Sequence, residues 1–167
     1  MEGLREGLAG VLAEPVAVGD AIPLPPLSLN RRRKQYAAAE LLYALRDVRQ
    51  TGETALGVTD VDLYVPGEEF VFGQAAPGIG IAVISLHRLR AGAADDGQVL
   101  SRAVKEAAHE MGHLRGLGNC RRRSCVMAAA TTVEDIDRKG TAPCTGCRNR
   151  LRRCPVRLAD SDTSFGE

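Results

Sequence analysis

The chain has 167 residues, 44% of them hydrophobic, which suits one domain with a single sizeable core and excludes a disordered polyelectrolyte. Its 22 Lys and Arg against 21 Asp and Glu leave a formal net charge of +1, so overall electrostatics favour neither a nucleic-acid specialist nor a membrane-surface protein. No apolar run is long enough to cross a bilayer, and residues 1–18, broken by Glu2, Arg5, Glu6 and Glu14, lack the pattern of a secretory signal. A cytoplasmic location is therefore expected, where five cysteines remain reduced and open to metal.

Residues 8–18 read as a strand-like entry, and Pro23, Pro25 and Pro26 make the connector after it extended. Between residues 31 and 51 the apolar side chains of Tyr36, Ala37, Leu41, Leu42 and Leu45 recur at helical spacing, and Gly52 stops the run. Residues 54–64 read as a buried strand ending in the acidic Asp60-Val61-Asp62 turn, 70–73 as a short strand, and 78–90 as a strand rich in Ile and Val. A glycine-containing link, 91–97, leads into an amphipathic helix expected over 98–117. Strands and helices in this order describe an α+β, or mixed α/β, domain, and the tail 159–167 reads as disordered.

The last helix carries the chemistry. His109-Glu110-Met111-Gly112-His113 places two imidazoles four residues apart on one helix face, where they can grip a single metal ion, with Glu110 positioned to activate water. Further on, Cys120-x4-Cys125 and Cys144-x2-Cys147 form two thiolate knuckles with spacing suited to a closed tetrahedral zinc. Such a staple suits an arginine-rich segment that cannot bury much apolar surface. Cys154 falls outside the pattern and reads as a small buried hydrophobe or free thiol.

The stretch from His109 through Gly116, Asn119, Cys120, Cys125 and Met127 to Cys144 and Cys147 resembles the archaemetzincins, metzincin-clan zinc metallopeptidases. So do Arg33-Lys-Gln35-Tyr36, the run from Leu56 to Tyr64, Phe70-Val-Phe72-Gly73-Gln-Ala75 and Ile84-Ser85-Leu-His-Arg88-Leu89, which extends the likeness over about residues 10–150. The resemblance implies a twisted, mostly parallel sheet with one antiparallel edge strand, formed by 78–89 or its neighbour, beside a substrate cleft. It implies a sharp helix break at Gly116 and a Met-turn at Met127. It also implies an N-terminal subdomain over 1–118 and a C-terminal four-cysteine zinc subdomain over 119–158. Two departures stand out: Asn119 occupies the position of the third histidine ligand, and the spacer from Met127 to Cys144 is one residue short.

Two functions are thus expected to compete. One is a zinc metallopeptidase with His109 and His113 as metal ligands, Glu110 as general base and a catalytic zinc weakened because Asn119 offers only a neutral amide oxygen. The other is a noncatalytic peptide-binding module on the same scaffold, held by the zinc of Cys120, Cys125, Cys144 and Cys147. His87, in the strand expected over 78–90, shares parity with Ile81, Val83 and Ser85 and is a candidate replacement ligand. The expected partner is a peptide or protein substrate and the expected state a monomer. Ten basic residues against three acidic ones lie between Cys120 and Arg157, but without interleaved aromatics they give no expectation of nucleic acid.

Overall fold

In the computed structural model, residues 1–153 are described. The chain opens not on a strand but on a helix, α1 (Glu2–Leu12), whose Leu4 and Leu8, one turn apart, are buried. Gly7 lets α1 lie directly on the later long helix, since a Cβ there would stand 2.6 Å from a Val104 methyl. Reading residues 8–18 as a strand missed this pattern because it began halfway along the helix. The connector follows without regular structure to a 3-10 turn at Pro26–Ser28.

Six short strands follow: β1 (Leu29–Asn30), β2 (Gln35–Ala37), β3 (Ala55–Thr59), β4 (Leu63–Tyr64), β5 (Gly73–Ala76) and β6 (Ile81–Ser85). They form two three-stranded sheets, β1-β2-β4 and β3-β6-β5, each with one antiparallel and one parallel pair. The mixed α+β class is as expected, while the sheet is divided rather than continuous and mostly parallel. The helix expected over 31–51 is α2 (Ala38–Val48) alone, because Gln35 is drawn into a sheet by bonds from its amide to Asp62 Oδ2 and the Glu69 carbonyl. The strand expected over 54–64 is two strands in different sheets, divided at the acidic turn that Arg88 holds by a two-nitrogen grip on Asp62. Of the short strand at 70–73, Val71 makes only an isolated bridge to Leu63, and pairing proper begins at Gly73.

The strand expected over 78–90 is β6 followed by a helical turn, α3 (Leu86–Leu89). The Ser85 hydroxyl caps that turn by accepting from the His87 N–H at 3.0 Å. All five residues of β6 are buried, as a central strand covered on both faces requires, so the antiparallel edge strand is its neighbour β5.

The long helix α4 (Asp96–Leu114) begins at the N-cap Asp95, whose carboxylate accepts from the Gln98 N–H at 2.8 Å. It ends three residues before the expected stop. Gly116, at φ 80°, takes the left-handed turn, the Gly116 N–H reaches the His113 carbonyl at 2.9 Å, and the Leu117 N–H reaches the Gly112 carbonyl at 3.0 Å. Those two bonds are a Schellman closure, which glycine permits at least cost. Two further helices, α5 (Val133–Arg138) and α6 (Thr145–Arg153), complete the described chain. Cys125, Val126, Met127, Ile136 and Cys147 belong to the same buried cluster as Ala107, Met111 and Leu114 of α4, so the C-terminal segment shares the main core. Among the described residues no helix is long and apolar enough to cross a membrane. Cys154 and the tail expected to be disordered lie outside the described residues.

Candidate functional site

Helical spacing alone sets His109 and His113 on one face of α4, and the turn after the helix fixes their rings. His109 Nδ1 lies 2.9 Å from the Val126 carbonyl and His113 Nδ1 lies 2.8 Å from the Leu117 carbonyl. A carbonyl oxygen only accepts, so each Nδ1 carries the proton and each Nε2 presents a lone pair. The two Nε2 atoms face one another at 3.0 Å, with the rings at 88°. Burial drives the His109 pKa down to about 4, so its own imidazole is neutral near pH 7 and its Nε2 is an open acceptor. Opposed lone pairs at this distance call for a cation. Two imidazoles on a tetrahedral zinc, at Zn–N of ~2.0–2.1 Å, would stand about 3.3 Å apart, so the pair fits that ion with little adjustment.

Glu110 is buried, and the desolvation of its carboxyl, reinforced by the nearby Glu106, pushes its pKa well above the ordinary carboxylate range. Its carboxylate lies against the backbone of β5. A Cβ on Gly73 would stand 2.8 Å from Glu110 Oε1 and 2.9 Å from the Val83 carbonyl, so only glycine admits this approach. Met127 is fully buried beneath the helix, and a Cβ on Gly112 would fall 2.2 Å from its Sδ. The segment that carries Met127 also supplies the carbonyl that orients His109, and is pinned by the Cys120 N–H donating to the Met127 carbonyl at 2.7 Å.

These groups open onto a groove of about 930 Å³ that Asn119 also lines, together with the edge strand β5, so position 119 is brought to the cleft of the histidine pair. The Asn119 side chain is exposed and has no hydrogen bond among the described residues. His87 is not brought there: it is exposed on α3, outside the groove, and the strand parity that made it a candidate ligand ends at Ser85.

The second site is a knot of sulfurs. The Sγ atoms of Cys120, Cys125, Cys144 and Cys147 all lie within 4.8 Å of one another, with Cys120 to Cys144 at 3.9 Å and Cys125 to Cys147 at 3.8 Å. Tetrahedral zinc at Zn–S of ~2.3 Å holds its sulfurs about 3.8 Å apart, so the donor set fits zinc in both chemistry and span. The Cys147 backbone lowers the Cys144 thiol to about 6, whereas burial raises Cys147 to about 12 and lifts Cys125 as well. One thiolate is thus preformed and its buried partners must shed protons to bind metal.

Four residues that shape the groove were given no role of their own by the sequence. Gly73 and Gly112 had a readable signal, since a glycine inside a strand or helix weakens it and asks for a close approach in return. Glu106 and Lys139 had none, because their pairing across 33 residues is a product of the fold: Lys139 Nζ donates to Glu106 Oε2 at 3.1 Å, with both side chains buried.

The family model described as Peptidase family M54 matches residues 26–153. An archaemetzincin of Methanopyrus kandleri is 42% identical over 130 residues, which cover 78% of this chain and 73% of the relative. The crystal structure of archaemetzincin from Methanopyrus kandleri superposes with a TM-score of 0.83 at 38% identity, covering 91% of this chain and 83% of that one. That of a zinc-dependent peptidase from Methanocorpusculum labreanum gives 0.82 at 35% identity, covering 89% and 91%.

Proposed function

This chain belongs to peptidase family M54, the archaemetzincins, and we propose that it is a zinc-dependent peptidase whose catalytic metal is held by two imidazoles and a weak third position. The observation that carries this reading is the pair of Nε2 lone pairs facing at 3.0 Å, each ring fixed through Nδ1 by a backbone carbonyl, beside a free sheet edge. His109 and His113 would hold the ion, Asn119 would stand at the third position, and Met127 would support the helix from below. Zinc, when bound, polarises the scissile carbonyl and makes water a nucleophile near neutral pH.

The rest is the work of the chain. The unpaired edge of β5 receives an extended peptide by backbone hydrogen bonds and lays its carbonyl beside the histidine pair. Glu110, set against that strand at Gly73, takes the proton of the attacking water on a carboxylate oxygen and returns it to the departing amine nitrogen. Its buried position favours the protonated form between those transfers. Asn119 limits this chemistry, because an amide oxygen is a poorer zinc donor than imidazole, and this limitation sustains the second reading of a peptide-binding module without turnover. The Cys120, Cys125, Cys144 and Cys147 set would hold a separate structural zinc in the segment that follows α4.

The test is zinc titration and peptide hydrolysis with the native chain, Asn119→Asp and Asn119→His, adding Glu110→Ala to assign any turnover. Asn119→His is expected to tighten zinc at the histidine pair by roughly 100-fold or more and to raise hydrolysis, with Asn119→Asp intermediate. An unchanged zinc affinity in Asn119→His would sink the placement of residue 119 as third ligand.

A further inference from the structure

Glu106 lies one turn before Glu110 on α4, lines the groove, and is 95% buried, being only 5% exposed. Its Oε2 is taken by Lys139, whose side chain is 0% exposed and whose ammonium also reaches the Ala128 carbonyl at 3.4 Å. Its Oε1 has no partner among the described residues, yet it is not sealed in the core, so it is the oxygen offered to the groove. A second acceptor is also left over: Gln74, on the edge strand that lines the same groove, keeps a buried Oε1 without a partner. The titratable groups lining the groove are Glu68, Glu69, Glu106, Glu110 and the two histidines, with no Lys or Arg among the lining residues. Among its lining side chains the groove therefore offers carboxylate acceptors and, the zinc of the histidine pair aside, no positive charge.

We propose that Glu106 is a specificity-determining residue, its Oε1 receiving the guanidinium or ammonium of an arginine or lysine side chain beside the scissile bond, so that the substrates are basic peptides. This rests on the reading of the groove as a peptide site. Lys139 does not oppose such a guest. It sits behind the carboxylate, fixing its orientation through Oε2, while the cation arrives from the groove at Oε1, and a charge-assisted bond in a mostly buried setting is stronger than one at the surface. Exposed Glu68 and Glu69 at the rim add long-range attraction that salt screens. Ala129 and Ala130, which also line the groove, have small side chains that leave room for a long one.

The experiment measures fluorescence anisotropy of labelled peptides, alike except for one arginine, norleucine or glutamate in an alanine-glycine background, on the zinc-supplied full chain. We expect the arginine peptide to bind about ten-fold or more tightly than the norleucine peptide, and the glutamate peptide weakest. Glu106→Leu combined with Lys139→Met, which removes both charges together, should bring arginine to within about two-fold of norleucine. Equal binding of arginine and norleucine by the native chain, or no peptide binding at all, overturns the assignment, and needs no variant to fold. An arginine preference that survives the double substitution overturns it in favour of the rim. Hydrolysis by Asn119→His is read separately: its absence alongside an arginine preference overturns the peptidase reading alone.

Discussion

Gly112 is the residue on which the geometry beneath the histidine pair turns. With a Cβ site 2.2 Å from Met127 Sδ, Gly112→Ala forces either the helix up or the sulfur aside. Overpacking of this kind costs about 1–3 kcal/mol, and Met127→Ala in the same background should recover part of it, so a double-mutant cycle in denaturant should show coupling of about 1 kcal/mol or more. Additive losses would mean that the two side chains do not share that space. His109 supplies a pH signature. Its pKa falls from 6.5 to about 4 on folding, chiefly through burial, so the unfolded chain takes up the proton first and stability declines as pH drops from about 6.5 towards 4. At 6% exposure the full shift corresponds to about 3 kcal/mol in the metal-free protein. Glu110, raised by burial, works in the opposite sense as pH falls, so the effect is best measured in Glu110→Gln, by denaturant midpoints at successive pH values. A flat profile between pH 6.5 and 4 would contradict a buried neutral imidazole.

The helix α4 is the element to which the others are fastened. Arg102, 3% exposed, grips Asp137 of α5 through two nitrogens at 2.8 and 2.7 Å and also donates to the Leu89 and Ala91 carbonyls, while Glu106 holds Lys139. Lys139→Met alone leaves the Glu106 carboxylate buried without its counter-ion and should cost about 3–5 kcal/mol, whereas adding Glu106→Leu should restore most of it. Urea denaturation of the two proteins checks this, and equal losses would show that packing rather than charge sets the penalty. The core of α4 was legible in the sequence because its apolar periodicity and the paired histidines agree along one stretch of chain, whereas the Asp95 cap, which starts the helix two residues before the expected Gln98, was not read. The strand β6 was overextended for a local reason. His87 and Arg88 do not interrupt an apolar alternation, and the Ser85 hydroxyl that turns the chain into α3 is a single hydrogen bond that the hydrophobic pattern does not register. The splitting of the sheets was not legible at all, since it depends on Arg88 and Gln35 meeting Asp62 across the fold.

At the scale of the molecule, the two candidate metal centres differ in how the rest of the chain supports them. The cysteine set was legible from spacing alone, because each knuckle is local and only their meeting needs the fold. The histidine pair was legible, but its completion was not, because position 119 sits in the chain just past a turn whose direction sequence gives only through Gly116. Four thiolates satisfy a zinc ion, whereas two imidazoles and an amide do not, so the protein as purified should carry close to one tightly held zinc equivalent per chain. Two equivalents retained through dialysis without added metal would show that the histidine centre is complete after all. Loss of the cysteine zinc should not release a detached C-terminal module. Cys125, Cys147 and Met127 are buried in the same cluster as the face of α4 that bears the histidines, so replacing Cys144 and Cys147 by serine should lower the single main unfolding transition and loosen the ring of His109, held by the Val126 carbonyl between Cys125 and Met127. Calorimetry and the imidazole resonances of His109 report on the two ends of this linkage. A normal transition with zinc content unchanged would remove the structural zinc from this account, and a lowered transition with an undisturbed His109 would separate the two centres.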